Sequence, residues 1–383
     1  MNKMRLDLVG IAREALKDKK AVIENLNDNK VKVSYINENL GPQSQPIPII
    51  FPRFIKLDEE FAEGIGLYLG DGYFAKNNFR NVCLVSKDSE IIVFMLNFFL
   101  NRFNLKKFQM LFSLTYKYGN EEELKEKWSR LLKISKNRIH IYRGNKHGKE
   151  TSRIEISFTV FRRVFQQVIN SSLPLIKQSK NLRQAFLRGE FAADGSISVE
   201  KIPNGKRIIM VTFSFNLKTE NFYRNYVKEC LELEGINRIK IKKDNRNREY
   251  LQVTGWDNYI KLWKMNLFSL LCRKKKLFDV VLKRIDIYLK LEENFRKSLF
   301  ETLNLRYREI AKIINNKSKD NIGKFIRGKS LLKLEQIKNL IEKVNFDWNS
   351  VIYNTKSIRV GRRAHISKDK EFLEKIIVER KLI

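Results

Sequence analysis

The chain is poor in cysteine, histidine, proline and negative charge, and each shortage argues against a class of protein. Cys83, Cys230 and Cys272 are odd in number, widely spaced and set in apolar or basic surroundings. That argues against a disulfide framework or a zinc site and makes all three reduced packing residues. His140, His147 and His365 do not fall at metal-ligand spacing and are expected at the surface or in a binding face. With six prolines in 383 residues, the chain is expected to be compact. No run of about 18 uncharged apolar residues occurs, so no segment spans a bilayer as a helix, and no amino-terminal apolar stretch of the secretory kind is present. An intracellular protein, cytoplasmic or organellar and without a membrane partner, is expected.

Acidic residues are the most telling shortage. Asp and Glu number 43 against 76 Lys and Arg, a formal charge of +33. Solubility needs far less, so a polyanionic partner is implied, and nucleic acid fits better than a membrane. At 43% hydrophobic, the chain can still bury a sizeable core, and its length suggests two or three domains.

Along the chain, residues 1–55 form a lead-in, with a charged helix pattern in "IAREALKDKKAVIENL" and a Pro/Gly-bearing loop in "ENLGPQSQPIPIIFP". From Leu57 a regular program begins. A helix runs to about Gly70, strand patterns follow around "FRNVCLVS", and an apolar helix lies in "EIIVFMLNFFLNRF". Further strands are read in "KFQMLFSLTYK", "RIHIYRG" and "RIEISFTV", then a helix at about Phe161 to Ser171. A helix from about Lys180 to Ala193 restarts it, followed by "SISVE", "RIIMVTFSF", the helix "TENFYRNYVKECLELEG", the hairpin "RIKIKKDNRNREYLQVTGW" and the helix "WDNYIKLWKMNLF". Residues 56–178 and 179–285 therefore read as two copies of one helix, strand, strand, helix, strand, strand, helix unit. Residues 286–383 read as basic and mostly helical, and "RYREIAKIINNKSKDNIGKFIRGKSLLKLEQIKNLIEKV" has the spacing of a helix-turn-helix module.

Two short stretches carry the chemistry, "GIGLYLGDG" at Gly64–Gly72 and "LRGEFAADG" at Leu187–Gly195. Aligned on Asp71 and Asp194, they bring small residues into register: Gly66 with Gly189, and Gly70 with Ala193. Positions i and i+4 share one helix face, so each segment offers a small-residue stripe where two helix backbones can meet. Helices packed through those stripes would place Asp71 and Asp194 side by side, with Gly72 and Gly195 expected in the left-handed conformation that ends a helix. Two carboxylates beside two helix carboxyl ends repel one another, and a hard divalent cation, Mg2+ or Mn2+, is the natural compensation. Asp71 and Asp194, with the carbonyls of Gly70 and Ala193, are its expected ligands. A metal between carboxylates is one way to cut a phosphodiester, and the +33 chain would bring the phosphates.

The two stretches resemble the paired signature of LAGLIDADG homing endonucleases in their single-chain, two-repeat form, on "EGIGLYLGDGYF" and "FLRGEFAADGSIS", over roughly Leu57 to Lys283. The resemblance implies an α+β fold of two pseudosymmetric αββαββα repeats whose sheets form a saddle over DNA, with the acidic residues binding a divalent metal at its centre. It implies a monomer that cuts double-stranded DNA at a long target site. Neither end resembles an intein splice junction, so a freestanding enzyme is expected. The first copy departs by carrying an extra charged stretch, "NEEELKEKWSRLLKISKNR".

The family also places a basic residue near each metal site after the last helix of each repeat, where it can polarise water or offset charge. That points to Lys274 in the second copy and to Lys177 or Lys180, with Lys180 preferred, in the first. Base contacts are expected from the strands, because a two-stranded ribbon fits the major groove. Lys240 and Lys242 alternate with Ile239 and Ile241 on such a ribbon, Arg246, Asn247 and Arg248 lie at its tip, and Asn77, Asn78 and Arg80 are the first-copy counterparts. Two other roles use the same charge and fold: a DNA-binding regulator that does not cut, and an intron RNA-splicing maturase. Phosphate attraction is common to both nucleic acids.

Overall fold

The computed structural model describes residues 4–74, 81–144, 150–201, 207–216, 220–244, 247–315, 319–360, 364–367 and 369–380. Asn77, Asn78, Arg80, Arg246 and His147 lie outside the described residues. The chain divides into two compact units, Met1–Ser196 with Val211–Gln252 and Lys264–Lys274, and Ile197–Met210 with Val253–Trp263 and Lys275–Ile383.

The lead-in holds more regular structure than its sequence suggests: β1 (Arg5–Asp7), α1 (Leu8–Ala15), β2 (Lys20–Asn27), β3 (Lys30–Ile36), β4 (Ile49–Pro52) and β5 (Phe54–Lys56). The helix expected over "IAREALKDKKAVIENL" stops at Ala15. Its second half enters β2, antiparallel to β3, whose alternation buries Val31, Val33 and Tyr35. Val22 and Ile23 are β-branched and favour the pleated partner once β3 offers one.

The first copy runs α2 (Glu59–Asp71), β6 (Gly72–Phe74), β7 (Asn81–Ser86), α3 (Ser89–Phe103), β8 (Leu111–Tyr116), α4 (Glu121–Leu132), β9 (Ile139–Arg143), β10 (Thr151–Ser157) and α5 (Thr159–Gln178). Next come α6 (Lys180–Asp194), β11 (Gly195–Lys201), β12 (Arg207–Asn216), α7 (Asn221–Leu233), β13 (Ile239–Lys243), β14 (Arg248–Val253) and α8 (Trp256–Lys264). The sheets have the orders β6-β7-β10-β8-β9 and β11-β12-β14-β13. With β9 set aside, both orders run first, second, fourth, third strand in chain order.

The extra charged stretch becomes α4 and the turn Lys136–Arg138 that leads into β9. Asn120 caps α4 by accepting from the Glu122 N–H, Glu121, Glu122 and Glu123 lie in its positively polarised first turn, and Trp128 and Leu132 are buried. The helix returns the chain so that β9 pairs parallel to β8, adding a fifth, edge strand. The α5 helix also outruns its expected end near Ser171, continuing through Pro174 to Gln178. Burial of Leu173 and Ile176 outweighs the hydrogen bond that proline removes.

Aromatic rings anchor α2 in the first copy. Tyr68 stands edge-on to Phe165 with centroids 4.7 Å apart, and Phe165 packs on Phe103 at 5.2 Å and on Phe161 at 5.5 Å. Phe191 of α6 meets Phe213 at 5.4 Å and Phe268 at 5.3 Å.

The carboxyl-terminal segment begins with α9 (Cys272–Arg284) and β15 (Ile287–Leu291), then α10 (Glu293–Leu303), α11 (Tyr307–Ile313), α12 (Lys319–Ile326), β16 (Leu332–Lys333) and α13 (Leu334–Val344). It closes with α14 (Trp348–Tyr353), β17 (Thr355–Val360), β18 (Ala364–Ser367) and α15 (Lys370–Glu379). The three helices expected around the polar turn are present as α11, α12 and α13. The four-stranded sheet β16-β15-β17-β18 is not foreshadowed in the sequence, since its strands are two to six residues long and show little period of their own.

Candidate functional site

The helices α2 and α6 pack through the small-residue stripes. A Cβ on Gly66 would lie 2.3 Å from the Phe186 carbonyl oxygen, one on Gly189 would lie 2.1 Å from that of Glu63, and one on Gly70 would lie 2.4 Å from the Ala193 Cβ. Only hydrogen fits at these points, so the backbones touch. Charged pairs flank the contact: Arg188 of α6 donates to Glu59 at 2.7 Å and Glu63 at 2.6 Å on α2. Both helices end at their aspartates, which therefore emerge together.

Gly72 and Gly195 are not left-handed, contrary to expectation; their φ values are −95° and −77°, ordinary extended backbone. Glycine is required for a different reason. A Cβ on Gly72 would stand 2.5 Å from the Tyr68 ring, and one on Gly195 would stand 2.2 Å from the Phe191 ring. Each copy thus lays the aromatic residue three before its aspartate against the glycine that follows.

Asp71 and Asp194 are largely withdrawn from water. Burial pushes the Asp71 carboxyl up to about 6, opposed by a hydrogen bond from Ser86 and by the Lys274 charge. Asp194 is pushed up to about 7, by burial first and then by the Asp71 and Glu220 charges, with Lys274 and Arg248 pulling the other way. Beneath them lies a third acid that the sequence reading missed. Glu190, one turn before Asp194, is fully buried, accepts a hydrogen bond from the Tyr223 hydroxyl, and has its Oε1 without a hydrogen-bond partner. Burial first, and then the Asp194 charge, raise its carboxyl well above the usual range. The aligned residue in the first copy is Leu67, which gives no hint of an acid there.

Lys274 is the cation of the site. Its buried ammonium donates to the carbonyls of Phe191 at 2.6 Å and Ala192 at 2.7 Å, with Ala193 at 3.5 Å, capping the negative end of α6. Burial lowers its pKa to about 8 despite Asp71 and Asp194. The first-copy lysines are elsewhere. Lys180 begins α6, a helix length of about 21 Å from Asp194, and Lys177 pairs with Glu229. Lys180 is therefore no part of the site. The second cation acting on Asp71 is Arg273, which sequence reasoning passed over; it grips Asp88, the residue before α3, at 2.9 and 2.7 Å. One segment after the second copy serves both aspartates.

The donor set suits a hard divalent cation: two adjacent carboxylates whose ionised forms repel, beside helix-end carbonyls at Gly70 and Ala193. Among the described residues no group of three or more His, Cys, Asp or Glu side chains is placed to hold a metal. A cation here would thus rest on two side chains, carbonyls and water, the coordination Mg2+ accepts.

On the first sheet, Tyr73, Arg153 and Glu155 share a face, Arg153 donating to Cys83 Sγ at 3.2 Å, while Ile154 and Ile156 face the core. The alternation in "RIEIS" carries that signal. His140 and Tyr142 lie exposed on β9. In the second sheet Lys240, Lys242 and Arg248 are exposed, and Asn247 adopts a left-handed φ of 57° at the turn. The two-faced ribbon does not hold for β13: it is an edge strand and Ile241 is 47% exposed.

No protein-family model and no curated protein matches the chain. Solved structures do show likeness. The homing endonuclease I-DmoI in complex with DNA and Ca aligns at 15% identity over 58% of this chain and 97% of that one, with a TM-score of 0.36. Full-length DUF199/WhiA from Thermatoga maritima aligns at 12% identity over 76% and 91%, with a TM-score of 0.35. The N-terminal LAGLIDADG domain of DUF199/WhiA aligns at 11% identity over 55% and 81%, with a TM-score of 0.34. These likenesses are too remote to assign a function, which rests on the geometry of α2 and α6.

Proposed function

We propose that the chain is a site-specific, metal-dependent endonuclease of double-stranded DNA, acting as a monomer, with Asp71 and Asp194 holding the divalent cation. The observation that carries this reading is the emergence of two half-buried, mutually repelling carboxylates from the abutting ends of α2 and α6. When bound, the cation supplies Lewis-acid activation of water and neutralises charge on the attacked phosphate. The chain's own groups do the positioning. The glycine stripe fixes the separation of the carboxylates, Lys274 and Arg273 offset their charge, and burial disfavours a further negative charge on Glu190 beneath the pair. In this reading Arg153, Tyr73, Lys240, Lys242 and Arg248 face the duplex from the two sheets, and the shared strand order of those sheets supports a paired arrangement.

The test is incubation of DNA from the locus surrounding the reading frame with Mg2+ or Mn2+, comparing the protein with Asp71→Asn and Asp194→Asn. Metal-dependent cutting lost in both variants supports the proposal. Tight duplex binding without cutting under any metal replaces it with a DNA-binding regulator, and restored splicing of an intron transcript replaces it with a maturase.

A further inference from the structure

The carboxyl-terminal helices form a second charged surface that the aspartate site does not use. From Arg306 to Lys333 there are nine Lys and Arg against two Asp and Glu. The helices α10, α11, α12 and α13 close on one another through Leu299, Leu303, Ile310, Ile322, Phe325 and Ile337, all buried. The far end of α12 is pinned. Arg296, itself buried, donates to the Ile326 carbonyl at 2.9 Å, and the chain turns at Gly328, φ 70°, where a Cβ would stand 2.7 Å from the guanidinium.

On this fixed helix Ile322 and Phe325 face inward, while Lys324 in its last turn and Arg327, the residue just past its end, are both exposed. Arg308 and Lys312 are exposed on α11 and Lys329 just past α12. Among the described residues none of these five is ion-paired, whereas Lys297, Lys333 and Lys338 on the supporting elements pair with Glu293, Asp286 and Glu342. Charge is thus left uncompensated on α11, on α12 and just past it.

We propose that α12 is a DNA-reading helix, seated in the major groove of a B-form duplex, with Lys324 and Arg327 directed at it and Arg308, Lys312 and Lys329 toward flanking phosphates. A short helix braced from behind, with exposed and unpaired cations on it and just past its end, is the kind of element that enters that groove. A duplex of RNA is a poorer fit, because its major groove is too narrow to admit a helix. The proposal stands apart from cutting at Asp71 and Asp194 and holds whether or not the chain is a nuclease.

The test uses the full chain carrying Asp194→Asn, so that no cutting intervenes. Binding to a fluorescent random-sequence DNA duplex is measured against KCl concentration, with and without Lys324→Glu and Arg327→Glu, and with Lys297→Glu and Lys338→Glu as a control pair on α10 and α13. All four side chains are at the surface or half-buried without core contacts, and the melting temperature of each variant is recorded to establish folding. The α12 pair is expected to weaken binding by at least about tenfold and to lower the salt slope by about 0.9 for each phosphate no longer neutralised. The control pair is expected to change both far less. Selection from a random duplex pool is expected to enrich a short motif with the parent protein and lose part of it with Lys324→Ala. Equal affinities and slopes for the α12 and control pairs would overturn the proposal. So would loss of binding to an RNA hairpin with DNA binding unchanged.

Discussion

Replacing Gly189 with alanine tests the close approach of α2 and α6 directly. In an unconstrained helix the change adds about 1 kcal/mol of stability, because alanine loses less backbone freedom than glycine. Here the new methyl would stand 2.1 Å from the Glu63 carbonyl oxygen and 2.9 Å from the Leu67 nitrogen. An ordinary carbon–oxygen contact is about 3.3–3.6 Å, so the helices must part locally by about 1 Å. The obstruction is backbone on both sides, with no flexible side chain to swing away. An overpacking cost at the upper end of about 1–3 kcal/mol then outweighs the helical gain and leaves a net loss of about 1–2 kcal/mol. Calorimetry or thermal circular dichroism should show a melting temperature lower by several degrees. Gly10→Ala on α1 is the control, since a Cβ there meets nothing within 4 Å, and it should melt at or above the parent. Separating the aspartates by about 1 Å should also cost roughly a hundredfold in cleavage rate. A Gly189→Ala protein as stable as the Gly10→Ala protein would refute backbone contact between the helices.

Stability of the metal-free protein should fall as pH rises from about 4 to about 7. Asp71 and Asp194 hold their protons up to about 6 and about 7 when folded, against an ordinary value of 3.8, so the folded state binds more protons across that window. Thermal melts at stepped pH check this; Asp194→Asn should flatten the decline, added Mg2+ should restore stability above pH 7, and a flat profile for the parent would contradict the burial of the pair. Lys274→Met should destabilise by about 2–4 kcal/mol, because it leaves the carbonyls of Phe191 and Ala192 unpaired beside two acids; urea unfolding reads that loss directly. Lys180→Ala, a helix length from the aspartates, should leave the rate of Mg2+-dependent cleavage unchanged.

The two glycine-bearing helices and the acids at their ends are legible in the sequence because they rest on local rules. Small residues four apart specify close helix contact, and both copies begin with the same helix, so α2 and α6 fall within a residue or two of their expected bounds. Long-range pairing is less legible. Val22 and Ile23 turn from helix to strand because β3 lies beside them, and no pattern within "KDKKAVIENL" says so. Glycine at positions 72 and 195 suggests a conformational need when it answers to the rings of Tyr68 and Phe191, which only packing reveals. Lys180 stands at the right place in the order of elements, yet the rigid length of α6 carries it away from the site. Glu190 is hidden by composition, because an acid in the middle of a helix reads as solvated until the buried Tyr223 hydroxyl is found against it.

The edge strand β9 makes the two sheets unequal, five strands against four. A dimer of identical subunits must present the same surface twice and so favours palindromes, but a single chain carrying both copies has no such obligation. Among the described residues, His140 and Tyr142 on that strand have no equivalent in the other sheet. A duplex recognised through both faces would be read by rulers of different width, and its two halves need share neither sequence nor length.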